Sequence, residues 1–199
     1  AYTAGALTLD DAAKIVTLRS KTLLELAGTG GMASLPLSAD DTRTLLANHT
    51  DLHIAALNGP TTTVIAGDTD QLHHLVTTLN ERDVRARTIP VDYASHTPHV
   101  HALRETLQEL LADIRPKAST IAFYSTLTGA PLVTTELTAD YWYDNLANPV
   151  LLHPTIQTLL DDGHTTFVET HPGTELDAVA KVLADGRAHL DHRAVLTAE

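Results

Sequence analysis

Met32-Ala33-Ser34-Leu35-Pro36-Leu37 and, further on, Thr61-Thr62-Thr63-Val64-Ile65-Ala66 are the two strand-like runs around which this chain organises itself. The pattern between and beyond them changes type at regular intervals. Ala39 to Asn48 reads as a helix and Leu52 to Leu57 as a strand, and Asn58-Gly59-Pro60 turns the chain into the second run. Asp68 to Asn80 then reads as a helix and Val84 to Ile89 as a closing strand. The order β-α-β-β-α-β within about sixty residues is that of a ferredoxin-like split βαβ unit. A self-contained unit flanked by other elements is most simply an insertion. It predicts a small subdomain over 31–90 within a larger α/β core made of 1–30 and 91–199.

On the N-terminal side, Thr8-Leu9-Asp10-Asp11 offers a hydroxyl cap followed by acids that suit the helix dipole. Ala12, Ile15, Val16, Leu18, Leu23 and Leu26 fall on one helical arc, which Gly28, Gly30 and Gly31 bring to an end. Ala1 to Leu7 contains no initiator methionine and reads as the middle of a longer chain. After Pro90 the residues 91–98 lead into a helix expected to run from Thr97 and Pro98 to near Ile114. A strand at Ile121 to Thr126, a turn at Gly129, and a short aromatic helix at Tyr141 to Leu146 follow. A helix at Thr155 to Asp162, a strand at Thr166 to Glu169 and a helix at Leu176 to Ala184 complete the series. Strands separated by helices predict a parallel, doubly covered sheet for the core.

Composition narrows the function. The 199 residues carry 13 basic and 25 acidic side chains, a net charge of −12, which disfavours nucleic acid as a partner. The absence of cysteine removes disulfides, thiolate catalysis and sulfur-based zinc sites. No apolar run approaches the ~18–20 residues of a membrane span. A soluble, cytoplasmic protein is expected.

Two residues stand out chemically. Arg19 lies within the apolar arc of the first helix, where a permanently charged guanidinium requires an anion. Spacing alone favours an internal salt bridge or a side chain that reaches solvent; capture of a substrate carboxylate is the functional alternative. His96 precedes a helix N-terminus, whose dipole would keep the ring neutral and able to accept a proton. Base rates alone would make it a capping or surface residue. His96, His99 and His101, with His73 and His74, raise a metal reading, but no H-E-x-x-H pattern accompanies them and surface histidines explain them better. None of the six serines (Ser20, Ser34, Ser38, Ser95, Ser119, Ser125) sits in a G-x-S-x-G elbow. Ser95 adjoins His96, yet neighbours in extended backbone point to opposite faces. No complete nucleophile–base pair is legible in these residues.

Several segments, in order and at matching spacing, resemble the acyltransferase domains of modular type I polyketide synthases and the related malonyl-CoA:acyl-carrier-protein transacylases. They include Ala4-Gly5-Ala6-Leu7, Leu18-Arg19-Ser20, Gly30-Gly31-Met32-Ala33-Ser34, Asn58-Gly59-Pro60 and Ile65-Ala66-Gly67-Asp68. The most specific is Pro90-Val91-Asp92-Tyr93-Ala94-Ser95-His96, followed by Phe123-Tyr124-Ser125-Thr126, residues 141–146 and Phe167-Val168-Glu169. The resemblance implies an α/β-hydrolase-like core with the ferredoxin-like insert. It implies a ping-pong transfer of an extender unit from coenzyme A, through a serine, to the phosphopantetheine of an acyl carrier protein. His96 then matches the catalytic histidine and Arg19 the arginine that holds the extender's free carboxylate.

The remaining assignments also follow from the resemblance. Tyr93, Ala94 and Ser95 form the specificity loop; the small Ala94 and Ser95 favour methylmalonyl-CoA, with malonyl-CoA as the fallback. Asn58 has a supporting role or is simply a turn residue. His171-Pro172-Gly173 departs from the family's pattern and receives no role. No cofactor or metal is implied in this domain, and ketosynthase and linker domains are the expected neighbours in a multifunctional enzyme of antibiotic biosynthesis. The family's Gly-His-Ser-x-Gly-Glu elbow lies upstream of the segment matching Ala1 to Gly5. The nucleophile is therefore expected outside this chain, which alone would be inactive and, with exposed strand edges, poorly stable. The competing expectation is an inactive scaffold or carrier-docking domain of the same fold.

Overall fold

The computed structural model describes residues 1–168 and the backbone of His189–Asp191. Helix α1, Leu9–Leu23, starts where Thr8 Oγ1 accepts the Asp11 N–H at 3.0 Å, and a 3-10 turn, Leu24–Leu26, carries it to Gly28. Its buried arc is narrower than the apolar pattern. Ile15 is buried and Leu18 packs beside it on Leu111, Ile114 and Trp142, but Val16 is 66% exposed. Val16 is turned about 100° from Ile15 around the helix, and the packing elements cover only one side.

The ferredoxin-like unit is present as strands β1 (Gly31–Leu35), β2 (Leu52–Gly59), β3 (Thr62–Gly67) and β4 (Arg87–Ile89), with helices α2 (Ala39–Leu46) and α3 (Thr69–Glu81). The sheet is antiparallel in the order β2-β3-β1-β4. Period-two alternation splits its side chains between two cores. Ala33, Leu35 and Ile65 face α3 through Leu72, Leu75 and Leu79. On the opposite face Ala55, Ala56, Val64 and Ala66, joined by Met32 and Ile89, pack on Ala94 and Val150. The insert thus rests its second face directly against the residues flanking His96.

Boundaries differ from expectation where local bonds compete with the ladder. β4 begins at Arg87 rather than Val84, because Ala86 N–H bonds back to Val84 O and Ala86 O accepts from Asn80 Nδ2. The turn after β2 falls at Pro60 and Thr61, leaving Asn58 inside the strand. The segment after Thr97 opens as a 3-10 turn, Pro98–Leu103, and only then becomes helix α4, Arg104–Leu110. The Ile121–Thr126 strand shrinks to β5, Tyr124–Ser125, paired antiparallel with β6, Ala130–Pro131, around Gly129.

Helices α5 (Ala139–Ala147) and α6 (Leu152–Asp161) follow. Among the described residues the expected parallel core sheet is represented by one strand pair, β7 (Thr166–Val168) with β8 (His189–Asp191), and by a bridge from Val150 to Ala56 in β2. The helix expected at Leu176 to Ala184, and His171-Pro172-Gly173, lie outside the described residues.

Two glycines are demanded by contact. A Cβ on Gly67 would lie 1.9 Å from Asp51 O, and one on Gly30 would lie 2.8 Å from the Ala94 Cβ. Gly67→Ala therefore forces the β2–β3 end apart. We expect it to destabilise the protein by about 2–4 kcal/mol in chemical denaturation, the range of overpacked or strained sites. Gly163→Ala, at φ +88° with open space around it, should cost less.

Candidate active site

The site is assembled at the C-terminal end of α5. Apolar packing of Tyr143 and Leu146 with Leu26, Val100, Leu103 and Leu107 seats this helix against the end of α1 and the 98–110 segment. Trp142 Nε1–H donates to Leu137 O at 2.9 Å and fixes its rotation. Asn148 then leaves the helix in extended conformation, with its own Nδ2–H bonded to Asp144 O at 2.9 Å. That exit aims the carbonyls of the last turn at His96.

His96 has φ of +61°, a left-handed conformation that costs a non-glycine residue about 1–2 kcal/mol. Two hydrogen bonds offset the strain: the His96 N–H donates to Leu146 O at 2.8 Å, and Nδ1 meets Asn148 O at 3.0 Å. A carbonyl can only accept, so Nδ1 carries the proton and Nε2 keeps its lone pair. Thr97 Oγ1–H on Ala94 O, at 2.8 Å, locks the turn from the other side. The imidazole pKa is lowered, first by burial and further by the Arg19 charge, while the Asn148 and Asn145 carbonyls oppose. The neutral ring foreseen for His96 is thus favoured, but burial rather than a helix N-terminus is the main cause, since the following element is a 3-10 turn.

Arg19 is mostly buried and points from α1 toward α5. Its Nη1–H donates to Asn145 Oδ1 at 2.8 Å. Burial lowers its pKa and the Tyr93 and Tyr141 phenols, close by, work against that; a guanidinium stays charged at neutral pH regardless. Among the described residues the only ion pairs are Lys14 with Asp113 and Arg43 with Asp40. The internal salt bridge that spacing favoured for Arg19 is therefore not found among them. Arg19 and His96 are thus both hydrogen-bonded to the C-terminal end of α5, through Asn145 and Leu146.

The specificity loop divides its side chains. Tyr93 packs with the α5 core, Ala94 is fully buried between Gly30 and the insert's second face, and Ser95 Oγ–H points to Met32 Sδ at 3.6 Å. Asn58 lies on β2 one residue beyond the Leu57 N–H bond to Val150 O (2.8 Å), so its strand abuts the segment that holds His96. Its side chain makes no hydrogen bond among the described residues. No serine bonds to His96 there either: Ser95 serves Met32, Ser125 meets the Tyr141 hydroxyl at 2.8 Å, and Ser38 caps α2. No three histidine or acidic side chains converge as a metal site among the described residues.

Asn145, Leu146 and Asn148 carry the geometry of the site, yet only their stretch of sequence stood out beforehand. One signal was available: Asn145 lies four residues after Tyr141, on the same helical face, and both flank Arg19.

The family model described as "Acyl transferase domain" matches residues 1–188. The chain is 49% identical over 176 residues to the pikromycin polyketide synthase component PikAII of Streptomyces venezuelae, covering 86% of this chain and 5% of that protein. It is 51% identical over 174 residues to polyketide synthase GfsB of Streptomyces halstedii, covering 86% of this chain and 3% of that one. It therefore spans a small fraction of the curated relatives it matches. Among solved structures, the acyltransferase domain from module 8 of the salinomycin polyketide synthase superposes with a TM-score of 0.89 at 42% identity. That match covers 94% of this chain and 45% of the other. The loading acyltransferase of the avermectin synthase superposes with a TM-score of 0.90 at 37% identity, covering 96% and 62%. Fold and sequence thus agree: the chain belongs to the acyl transferase domain family, and the curated relatives it resembles are polyketide synthases.

Proposed function

We propose that these residues form the base-and-carboxylate part of an acyltransferase that loads an extender unit onto an acyl carrier protein. The observation that carries this reading is Arg19: a largely buried guanidinium with no acidic partner among the described residues, beside a histidine whose Nε2 is left as the acceptor. A cation held in that way suits a substrate carboxylate, bound bidentately. The nucleophile in this proposal is a serine carried on residues preceding Ala1.

The chemistry follows in balanced steps. His96 Nε2 takes the serine proton as Oγ attacks the thioester carbon, and the tetrahedral intermediate expels coenzyme A, whose sulfur recovers that proton from the imidazolium. The phosphopantetheine thiol of the carrier protein then loses its proton to Nε2 as its sulfur attacks the acyl-serine ester. Collapse returns the proton to the serine. The α5 carbonyls stabilise the imidazolium in both halves, the task an aspartate performs in a serine triad. No cofactor is required, since coenzyme A enters as substrate and phosphopantetheine belongs to the partner.

Methylmalonyl-CoA is the proposed extender, with malonyl-CoA next. The support is the likeness of the Tyr93-Ala94-Ser95 loop to methylmalonyl-selecting domains, which carry small residues where malonyl-selecting ones carry a phenylalanine; in this protein Ala94 and Ser95 pack against the insert. One methyl group is worth only ~1–3 kcal/mol in such a pocket, so selectivity rather than exclusivity is proposed.

In the complete acyltransferase polypeptide, incubation with methylmalonyl-CoA should add the acyl mass to one serine upstream of Ala1. His96→Ala should slow transfer about 10²–10⁴-fold, and Arg19→Ala should depress use of carboxylated substrates specifically. A coding sequence with no serine elbow upstream, or carrier binding without transfer, would instead favour the inactive scaffold. Ser95→Phe should shift preference toward malonyl-CoA by about 10–100-fold in the kcat/KM ratio.

The pH dependence has a definite sign. The folded pKa of His96 lies below its ordinary 6.5, so the folded state binds fewer protons than the unfolded one. The corresponding stability is fully present above the ordinary value and is lost as pH falls through the lowered one. The acidic limb of kcat/KM should therefore lie below pH 6.5, and His96→Gln should flatten the decline of Tm as pH falls below that value.

A further inference from the structure

We propose that Asn145 is a positioning residue that sets substrate selection, because one turn of α5 holds both the carboxylate anchor and the base. Its side-chain Oδ1 accepts from Arg19 Nη1 at 2.8 Å. Leu146 O of the same turn accepts from His96 N–H at 2.8 Å, and Asn148 O, just past the helix end, meets His96 Nδ1 at 3.0 Å. The inference rests on the proposed acyltransferase reading and extends it to a residue with no assigned role.

An arginine side chain has four rotatable bonds, and burial alone does not choose among its rotamers. Tyr93 and Tyr141 flank the Arg19 guanidinium but contribute no hydrogen bond to it among the described residues; the Tyr141 hydroxyl is engaged with Ser125 Oγ at 2.8 Å. Asn145 is thus the described group that fixes the plane of the fork. It does so as a neutral acceptor, so the full positive charge remains for a ligand.

An aspartate here would also hold Arg19 but would neutralise it. The helix is rigidly seated, so the separation between the guanidinium and the imidazole becomes a property of α5.

The test measures transfer by the complete acyltransferase polypeptide from methylmalonyl-CoA and from propionyl-CoA, which lacks the carboxylate. The readout is the ratio of the two kcat/KM values. Asn145→Ala should lower the ratio about tenfold, mainly through KM for methylmalonyl-CoA. Asn145→Asp, nearly isosteric, should lower it further, about a hundredfold, because its carboxylate competes for Arg19. Asn145→Gln, which keeps the neutral amide acceptor, should restore part of the ratio.

Equal losses with both substrates, or an aspartate variant no worse than the alanine variant, would overturn the inference and leave Asn145 a packing residue. Arg19→Ala separates this failure from failure of the underlying reading. If Arg19→Ala collapses the ratio while the Asn145 variants do not, only the inference falls. If Arg19→Ala leaves the ratio where it was, the carboxylate reading itself falls.

Discussion

The hydrogen bonds that draw His96 onto the end of α5 are the constraint on which the rest of this site depends. A histidine at φ +61° is held away from its preferred backbone conformation, and the Leu146 and Asn148 carbonyls are what hold it. The Asn148 carbonyl also decides which ring nitrogen carries the proton. The tautomer and the orientation of His96 are therefore one structural fact. Both are set by backbone carbonyls at a helix C-terminus, which carry partial negative charge.

The ferredoxin-like insert contributes to that constraint from behind. Its first face closes on α2 and α3 and makes an independent core. Its second face, built from small residues, admits Ala94 and Val150 at close range, and these flank the two segments that meet at His96. Gly30 belongs to the same contact, since a methyl group there would collide with Ala94. Ala94 and Ser95 thus have a packing role: their small side chains are occupied with the insert.

Arg19 completes the site through electrostatics. A protein of net charge −12 has acids in abundance, yet among the described residues none is placed on this cation. Its hydrogen-bonding partner is an amide, and its charge helps keep His96 neutral. The two groups therefore assist each other: the cation favours a proton-accepting imidazole, and the shared helix turn keeps them in register.

Much of this was legible in the sequence. Period-two runs and the turn residues between them specified the split βαβ insert, because strand alternation and capping are local and show in consecutive residues. Thr8, Ser38 and Asp68 cap α1, α2 and α3, and the order of motifs pointed to His96 and Arg19. Other features depended on partners far apart in the chain. Val16 fits the apolar arc of α1 but is exposed, because periodicity cannot say how wide a neighbour will be. The strand at 121–126 shortened to a two-residue hairpin arm when its continuation found other bonds. The sequence by itself determined the insert and named the cation and the base. Only the tertiary structure decided that Asn145, 126 residues from Arg19, would hold it, and that backbone carbonyls would orient the base. Carbonyls are identical at every position, so which of them meet a histidine is decided by how the helix packs.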